Sequence, residues 1–325
     1  MARFRTERDD ERARGGTRGV SPKTASETPA PASSHAIPRT SDTRPDAAPS
    51  TRDRARSEAS RGPEPRTPAP STRAAYELRG RTYRLTSTEA DVVRAAGVFR
   101  TVRASDLLKG VYQGDKRALE RELNRLGAQK LITTSTFRGR PRERFVNLTP
   151  EAKRLADAHL KPRANQRIYS GMAKVRELDH DAALYGMYLR ACEGIRAEGR
   201  HPVRVILDYE LKKSLNRDLE AIQNLPPSER DARLQDLASA HALTVIDGKI
   251  PIPDVRIEYE TREGEHAHVD LEYVTGNYRS DAIAAKARAG FSLYAPAGFD
   301  RSSGGSAGRR VRNEFPSLAA EIVSI

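Results

Sequence analysis

Residues Asp115–Leu126 read DKRALERELNRL, Leu131–Phe137 read LITTSTF, and Arg138-Gly139-Arg140-Pro141-Arg142 leads into a return strand around Arg144–Leu148. Leu119, Leu123 and Leu126 recur at helical spacing and mark a buried side. Arg117, Arg121 and Arg125 fall at i, i+4 and i+8 and line a different stripe of the same helix. The spacing predicts a helix, a strand, a basic tip and a second strand. Lys116, Arg117, Arg121 and Arg125 on the helix, with Arg138, Arg140, Arg142 and Arg144 on the hairpin, put positive charge on one side of a small domain. The other reading of the stripe is a solvated helix face beside Glu120 and Glu122. The charge on the tip favours an anionic partner instead.

Upstream, TYRL (Thr82–Leu85) leads into Thr86-Ser87-Thr88-Glu89, a capping-box pattern that starts a helix through about Ala96. A second helix is expected over about Ala104–Lys109. Thr149-Pro150-Glu151 opens another, with proline at the first helical position, to about His159. Together these elements have the layout of a winged helix-turn-helix domain over residues 75–160. Such a domain sets one helix in a major groove while the wing touches neighbouring phosphates, so double-stranded DNA is the expected partner.

The chain has 325 residues and a net charge of +13, with a pI near 10.0. At roughly 150 residues per domain this length holds about two domains. Residues 78–160 carry twice as many basic as acidic side chains, whereas residues 161–325 balance. The single cysteine, Cys192, excludes an internal disulfide and a multi-cysteine zinc site, and its apolar helical setting marks it as core. Residues 1–74 are rich in Pro, Ser, Thr, Ala and Arg and are expected to be a disordered tail. The N-terminal MARFRTERDDERARGG has no apolar core of a secretory signal, and no stretch approaches the roughly 20 apolar residues of a membrane span. A cytoplasmic protein without a membrane partner is the expectation.

Residues 161–177 read as a linker. Beyond it the pattern predicts a helix over Leu178–Gly199, a strand over Val203–Leu211, and a polar helical stretch over Lys212–His241 broken at Pro226-Pro227. Strands follow over Pro253–Glu260 and His266–Val274, then a helix over Ser280–Ala289 and a strand over Phe291–Pro296. Residues 299–325 read as a Gly/Ser/Arg-rich tail with a short terminal helix. The fold class is therefore α+β and α/β, a winged helix joined to a restriction-endonuclease-like α/β domain at 178–298.

That order, with Pro253-Asp254 opening one strand and acids on the next, resembles the PD-(D/E)xK nuclease-like frame. The resemblance implies Asp254 and a strand acid as ligands of a divalent metal, Mg²⁺ by ligand hardness, and a lysine two residues after the second acid. Two registers are open, Asp270-Leu271-Glu272 and Glu272-Tyr273-Val274, and neither puts lysine third. Lys286 on the following helix is the candidate for a migrated lysine. Asp270 and Glu272 share a strand face, which equally suits the solvated side of a strand. No cofactor or metal is expected unless the domain is a nuclease; then Asp254, Asp270, Glu272 and Lys286 are its catalytic set and Asp254 and Glu272 its metal ligands. His180, between Asp179 and Asp181, reads as a helix-start histidine. His266 and His268 beside Asp270 form a weak zinc pattern.

Taken together, Tyr83–His159, Leu178-Asp179-His180, Pro253-Asp254, Val269–Thr275 (VDLEYVT), Lys286 and Tyr294 resemble the replication-relaxation family of plasmids and conjugative elements. The resemblance covers about Thr82–Pro296, with a departure at Val274, where that family often has an acid. It implies a sequence-specific DNA-binding accessory in plasmid mobilisation, conjugative transfer or replication, with a relaxase or replication protein as partner and a nuclease-like domain that serves assembly. Alternatives are a metal-dependent DNA nuclease and a winged-helix transcriptional regulator; a homodimer is compatible with each.

Overall fold

In a computed structural model of the protein, residues 72–325 are described, apart from 138–139, 162, 164, 173 and 300–306 and the side chains of 140–142 and Arg176. The expected tail lies outside the described residues up to Ser71. The first element was not foreseen: β1 (Ala74–Leu78) pairs antiparallel with β2 (Arg81–Leu85). Arg79 and Gly80 both take positive φ, 51° and 74°, which is the backbone that a two-residue hairpin turn demands.

Helix α1 (Ser87–Phe99) starts at the predicted capping box. The Glu89 amide donates to Thr86 Oγ1 at 3.0 Å, and the Thr86 amide donates to Glu89 Oε2 at 2.9 Å. The helix runs past Ala96 because Val98 and Phe99 continue its buried face. β3 (Val102–Arg103), α2 (Ala104–Gly110), α3 (Lys116–Ala128), β4 (Ile132–Phe137), β5 (Arg140–Leu148) and α4 (Pro150–His159) follow. The three strands form an antiparallel sheet in the order β3-β5-β4.

The expected linker is built into the structure. Ile168 is buried, and the Tyr169 amide donates to Gly97 O at 2.7 Å. A methyl group on Gly97 would lie 2.9 Å from Ile168 Cγ2, so glycine is what lets this segment lie against α1. The Gln166 side chain bonds Val205 twice, donating to its carbonyl and accepting from its amide, each at 2.9 Å.

After a 3-10 turn (Val175–Glu177) come α5 (Leu178–Ala197), β6 (His201–Leu207), α6 (Asp208–Ile222), α7 (Pro227–Ala240), β7 (Val255–Glu260), β8 (His266–Tyr273), α8 (Ser280–Arg288) and β9 (Ser292–Ala295). The strand predicted to reach Leu211 ends at Leu207, and Asp208 already starts a helix that buries Leu211 and Leu215. The sheet order is β10-β9-β8-β7-β6: β6, β7 and β8 are an antiparallel meander, and β9 runs parallel to β8. The expected C-terminal tail is largely ordered. α9 (Ala307–Glu314) buries Ala307 and Val311, α10 (Pro316–Glu321) buries Leu318, and β10 (Val323–Ser324) joins the sheet.

Thr72–Ile325 belong to one compact unit. One hydrophobic cluster runs from Tyr83 and Leu107 through Met187 and Cys192 on α5 to Ile257 and Leu271 of the sheet. Tyr185 and Tyr188 pack on Phe99 with ring centroids 5.2 and 5.0 Å away, so α5 joins the N-terminal helices to the sheet. Among the described residues no helix is long and apolar enough to cross a membrane.

Candidate functional site

Asp115 caps α3 by accepting from the Ala118 amide at 3.0 Å. Leu119, Leu123 and Leu126 anchor the inner face, as their spacing predicts. Lys116, Arg117, Arg121 and Asn124 are exposed, and none of their side chains makes a hydrogen bond or ion pair among the described residues. These residues are the outward surface of the helix.

Two of the expected DNA-contacting arginines do not belong to that surface. Arg125 Nε lies 3.5 Å from Glu89 Oε1, under the helix rather than on it. The cause is helical geometry: an i, i+4 stripe drifts by about 40° per step, so Arg125 sits roughly 80° around from Arg117. There it meets a buried acid pair. Burial raises the Glu89 carboxyl above its ordinary range, and Glu122 adds to the rise. Glu122 accepts from Tyr112 Oη at 3.1 Å. Arg144 is also committed, gripping Glu120 with both terminal nitrogens, one at 2.9 Å. That fork holds Glu120 lower than its ordinary range and fastens β5 to α3. Arg138 and the side chains of Arg140 and Arg142 lie outside the described residues.

The acids of the sheet form a second group. The register Val255↔Leu271 sets Asp254 across from Glu272, and both are fully buried. Asp254 Oδ2 accepts from the Tyr273 amide at 2.9 Å and lies 3.0 Å from His180 Nε2. Glu272 Oε1 accepts from Tyr278 Oη at 2.8 Å and lies 3.2 Å from Lys286 Nζ. Lys286 also donates to Ile252 O at 2.8 Å. The lysine on the following helix thus reaches the strand acid, as the migrated-lysine expectation requires.

Asp270 does not join this group through any hydrogen bond. Arg256 grips it bidentately, both bonds 2.7 Å, and caps the carbonyls of His241 and Ala242 at the end of α7. Asp270 is thereby the anchor of a buried arginine, and Arg256 is a residue the sequence reading overlooked. Its signal was present: an arginine two residues beyond Asp254, set between the apolar Val255 and Ile257. His268 approaches Asp270 only to 3.9 Å, and burial with the adjacent Arg256 lowers its pKa.

His180 lies in the first turn of α5 between Asp179 and Asp181, as expected, and its ring also reaches Asp254, 74 residues on. The preceding residue, Asp179, accepts at its carbonyl from Arg103 at 3.1 Å, and Arg103 pairs with Glu143 of β5 at 3.3 Å. A polar chain therefore runs from the basic hairpin to the buried acids.

Each of the two carboxylates holds proton donors through one of its oxygens, Asp254 through Oδ2 and Glu272 through Oε1. Among the described residues no group of three His, Cys, Asp or Glu is arranged to hold a metal. Compared with protein-family models, with curated proteins and with solved structures, the chain matches none.

Proposed function

We propose that this protein is a sequence-specific double-stranded DNA-binding accessory or regulatory factor of a mobile element, with the plan of the replication-relaxation family. Its winged helix comprises α1, β3, α2, α3 and the β4–β5 hairpin. The sheet with α5 and α8 is a restriction-endonuclease-like frame that serves assembly or recruits a relaxase or replication protein in the cytoplasm. The element order supports this plan: helix, strand, helix, helix, hairpin and helix, then α5, three antiparallel strands with α6 and α7 between the first two, α8 and a parallel strand.

The carrying observation is the outward face of α3. Three exposed cations, whose side chains make no hydrogen bond or ion pair among the described residues, stand on a helix fastened to the next hairpin, in a segment with a twofold basic excess. Phosphate and base-edge recognition needs cations in that condition, because a cation already paired must break its pair to bind.

A second reading, a metal-dependent nuclease, is favoured by the Lys286–Glu272 contact beside Asp254. Gel shifts of the full chain over a salt series, with cleavage assays in Mg²⁺ and Mn²⁺, test both. Arg117→Ala with Arg121→Ala is expected to weaken binding by one to three orders of magnitude, at roughly 1–3 kcal/mol per lost base contact. Undiminished binding removes the assignment. Cleavage lost in both Asp254→Ala and Glu272→Ala, with binding intact, makes the protein a nuclease.

A further inference from the structure

The outward face of α3 also carries an amide. Asn124 lies one turn beyond Arg121, is exposed, and makes no hydrogen bond among the described residues. Its neighbours on the face are otherwise accounted for: Glu120 is held by Arg144, and Arg125 turns under to Glu89. What remains facing outward is Lys116, Arg117, Arg121 and Asn124. Arginine matches the two acceptors of guanine in the major groove, and asparagine matches the adjacent acceptor and donor of adenine. On a helix, residues three apart are about 4.5 Å apart along the axis, between the spans of one and two base-pair steps of about 3.4 Å, so side chains from the two can reach neighbouring base pairs.

The last turn of the same face is bare. Gly127 is helical, and a methyl group there would meet no atom within 4 Å among the described residues, so no described neighbour requires glycine. Glycine in a helix weakens it relative to alanine. Together with the exposed Ala128 it leaves the helix backbone open to close approach by something outside the chain.

We propose that Asn124 is a specificity-determining residue, reading an adenine next to a guanine read by Arg121, with Gly127 admitting the DNA backbone to the end of α3. This rests on the DNA-binding reading above and deepens it. Adenine discrimination resides in Asn124, so its loss changes which sequences bind more than how strongly the average sequence binds.

Selection of bound duplexes from a randomised library, using the full chain, tests this directly. The wild type is expected to enrich a site containing adjacent guanine and adenine. Asn124→Ala is expected to lose about ten- to a hundredfold preference at the adenine alone. Gly127→Ala is expected to melt no lower than wild type but to bind more weakly. An unchanged sequence preference in Asn124→Ala overturns the inference while leaving DNA binding intact, and full affinity in Gly127→Ala overturns the close-approach part. Failure of the wild type to enrich any duplex removes the DNA reading itself. Asn124 is exposed and outside the core, so a coincident melting curve shows that any change is not misfolding.

Discussion

The helix α3 and the strand β8 carry charge in opposite ways. On α3, Lys116, Arg117 and Arg121 stand in solvent with no partner among the described residues. On β8, Asp270 is gripped by Arg256 and Glu272 by Lys286 and Tyr278, out of contact with water. Charge of the first kind costs the fold almost nothing and is ready for a partner. Charge of the second kind is held by its pairing, because a buried ion that loses its partner retains the full desolvation penalty. Residue type alone does not separate the two, since Arg121 and Arg125 differ only by one turn.

The largest effect should come from cutting a buried pair. Asp270→Ala is expected to cost about 3–5 kcal/mol in urea unfolding, because it strands the Arg256 guanidinium in the interior. Replacing both together, Asp270→Leu with Arg256→Met, should recover much of that loss. A single variant within about 1 kcal/mol of wild type, below that range, would break the contrast between the two regions.

The contrast sharpens within α3. Arg125→Ala removes the ion pair that Arg125 makes with buried Glu89 and should lower stability by about 1–3 kcal/mol while changing DNA affinity little. Arg121→Ala should do the reverse, shifting stability by no more than about 0.5 kcal/mol while weakening binding. Thermal melts and gel shifts on the same two variants read both axes. Equal loss of affinity in the two variants would restore Arg125 to the binding stripe.

A smaller effect is expected at Asp106 on α2, which is buried against Gly186 and has one carboxylate oxygen without a hydrogen bond among the described residues. Burial raises its pKa above the ordinary 3.8. The folded state therefore takes up the proton more readily than the unfolded chain. The stability from that protonation is fully present below pH 3.8 and is lost as pH rises through the folded value. Asp106→Asn is thus expected to be more stable than wild type by about 1 kcal/mol at pH 7, with the difference vanishing in acid. A constant difference across that range would show that the charge is not the cause.

Local chemistry was the most legible part of the sequence. The Thr86/Glu89 box and the Thr149-Pro150 start each specify a helix end from adjacent residues, and each is where it was expected. The β1–β2 hairpin was passed over because its strands adjoin a tail-like composition, although Arg79-Gly80 marks its turn. The strand ending at Leu207 was overextended because Tyr209 and Leu211 continue an apolar run whose period changes there from two to helical. The partners of Arg256 and His180 are set by strand register and by the packing of α5, neither of which adjacent residues encode. Lys286 was legible only through resemblance.

The twin bonds between Gln166 and Val205 give β6 a neighbour that is not a strand. One amide group imitates a single rung of a ladder along an otherwise open margin. Pro202 has no N–H to offer, and the register slips between Pro202 and Arg204. At the opposite margin β10 is only two residues long. Open strand margins are where chains adhere to one another and grow into aggregates. A foreign strand seeking to extend this sheet must dislodge the molecule's own connector on one side, and finds almost no template on the other. The segment that ties the N-terminal helices to the sheet thereby also guards against self-association, and a cut within it would remove the tie and the guard at once.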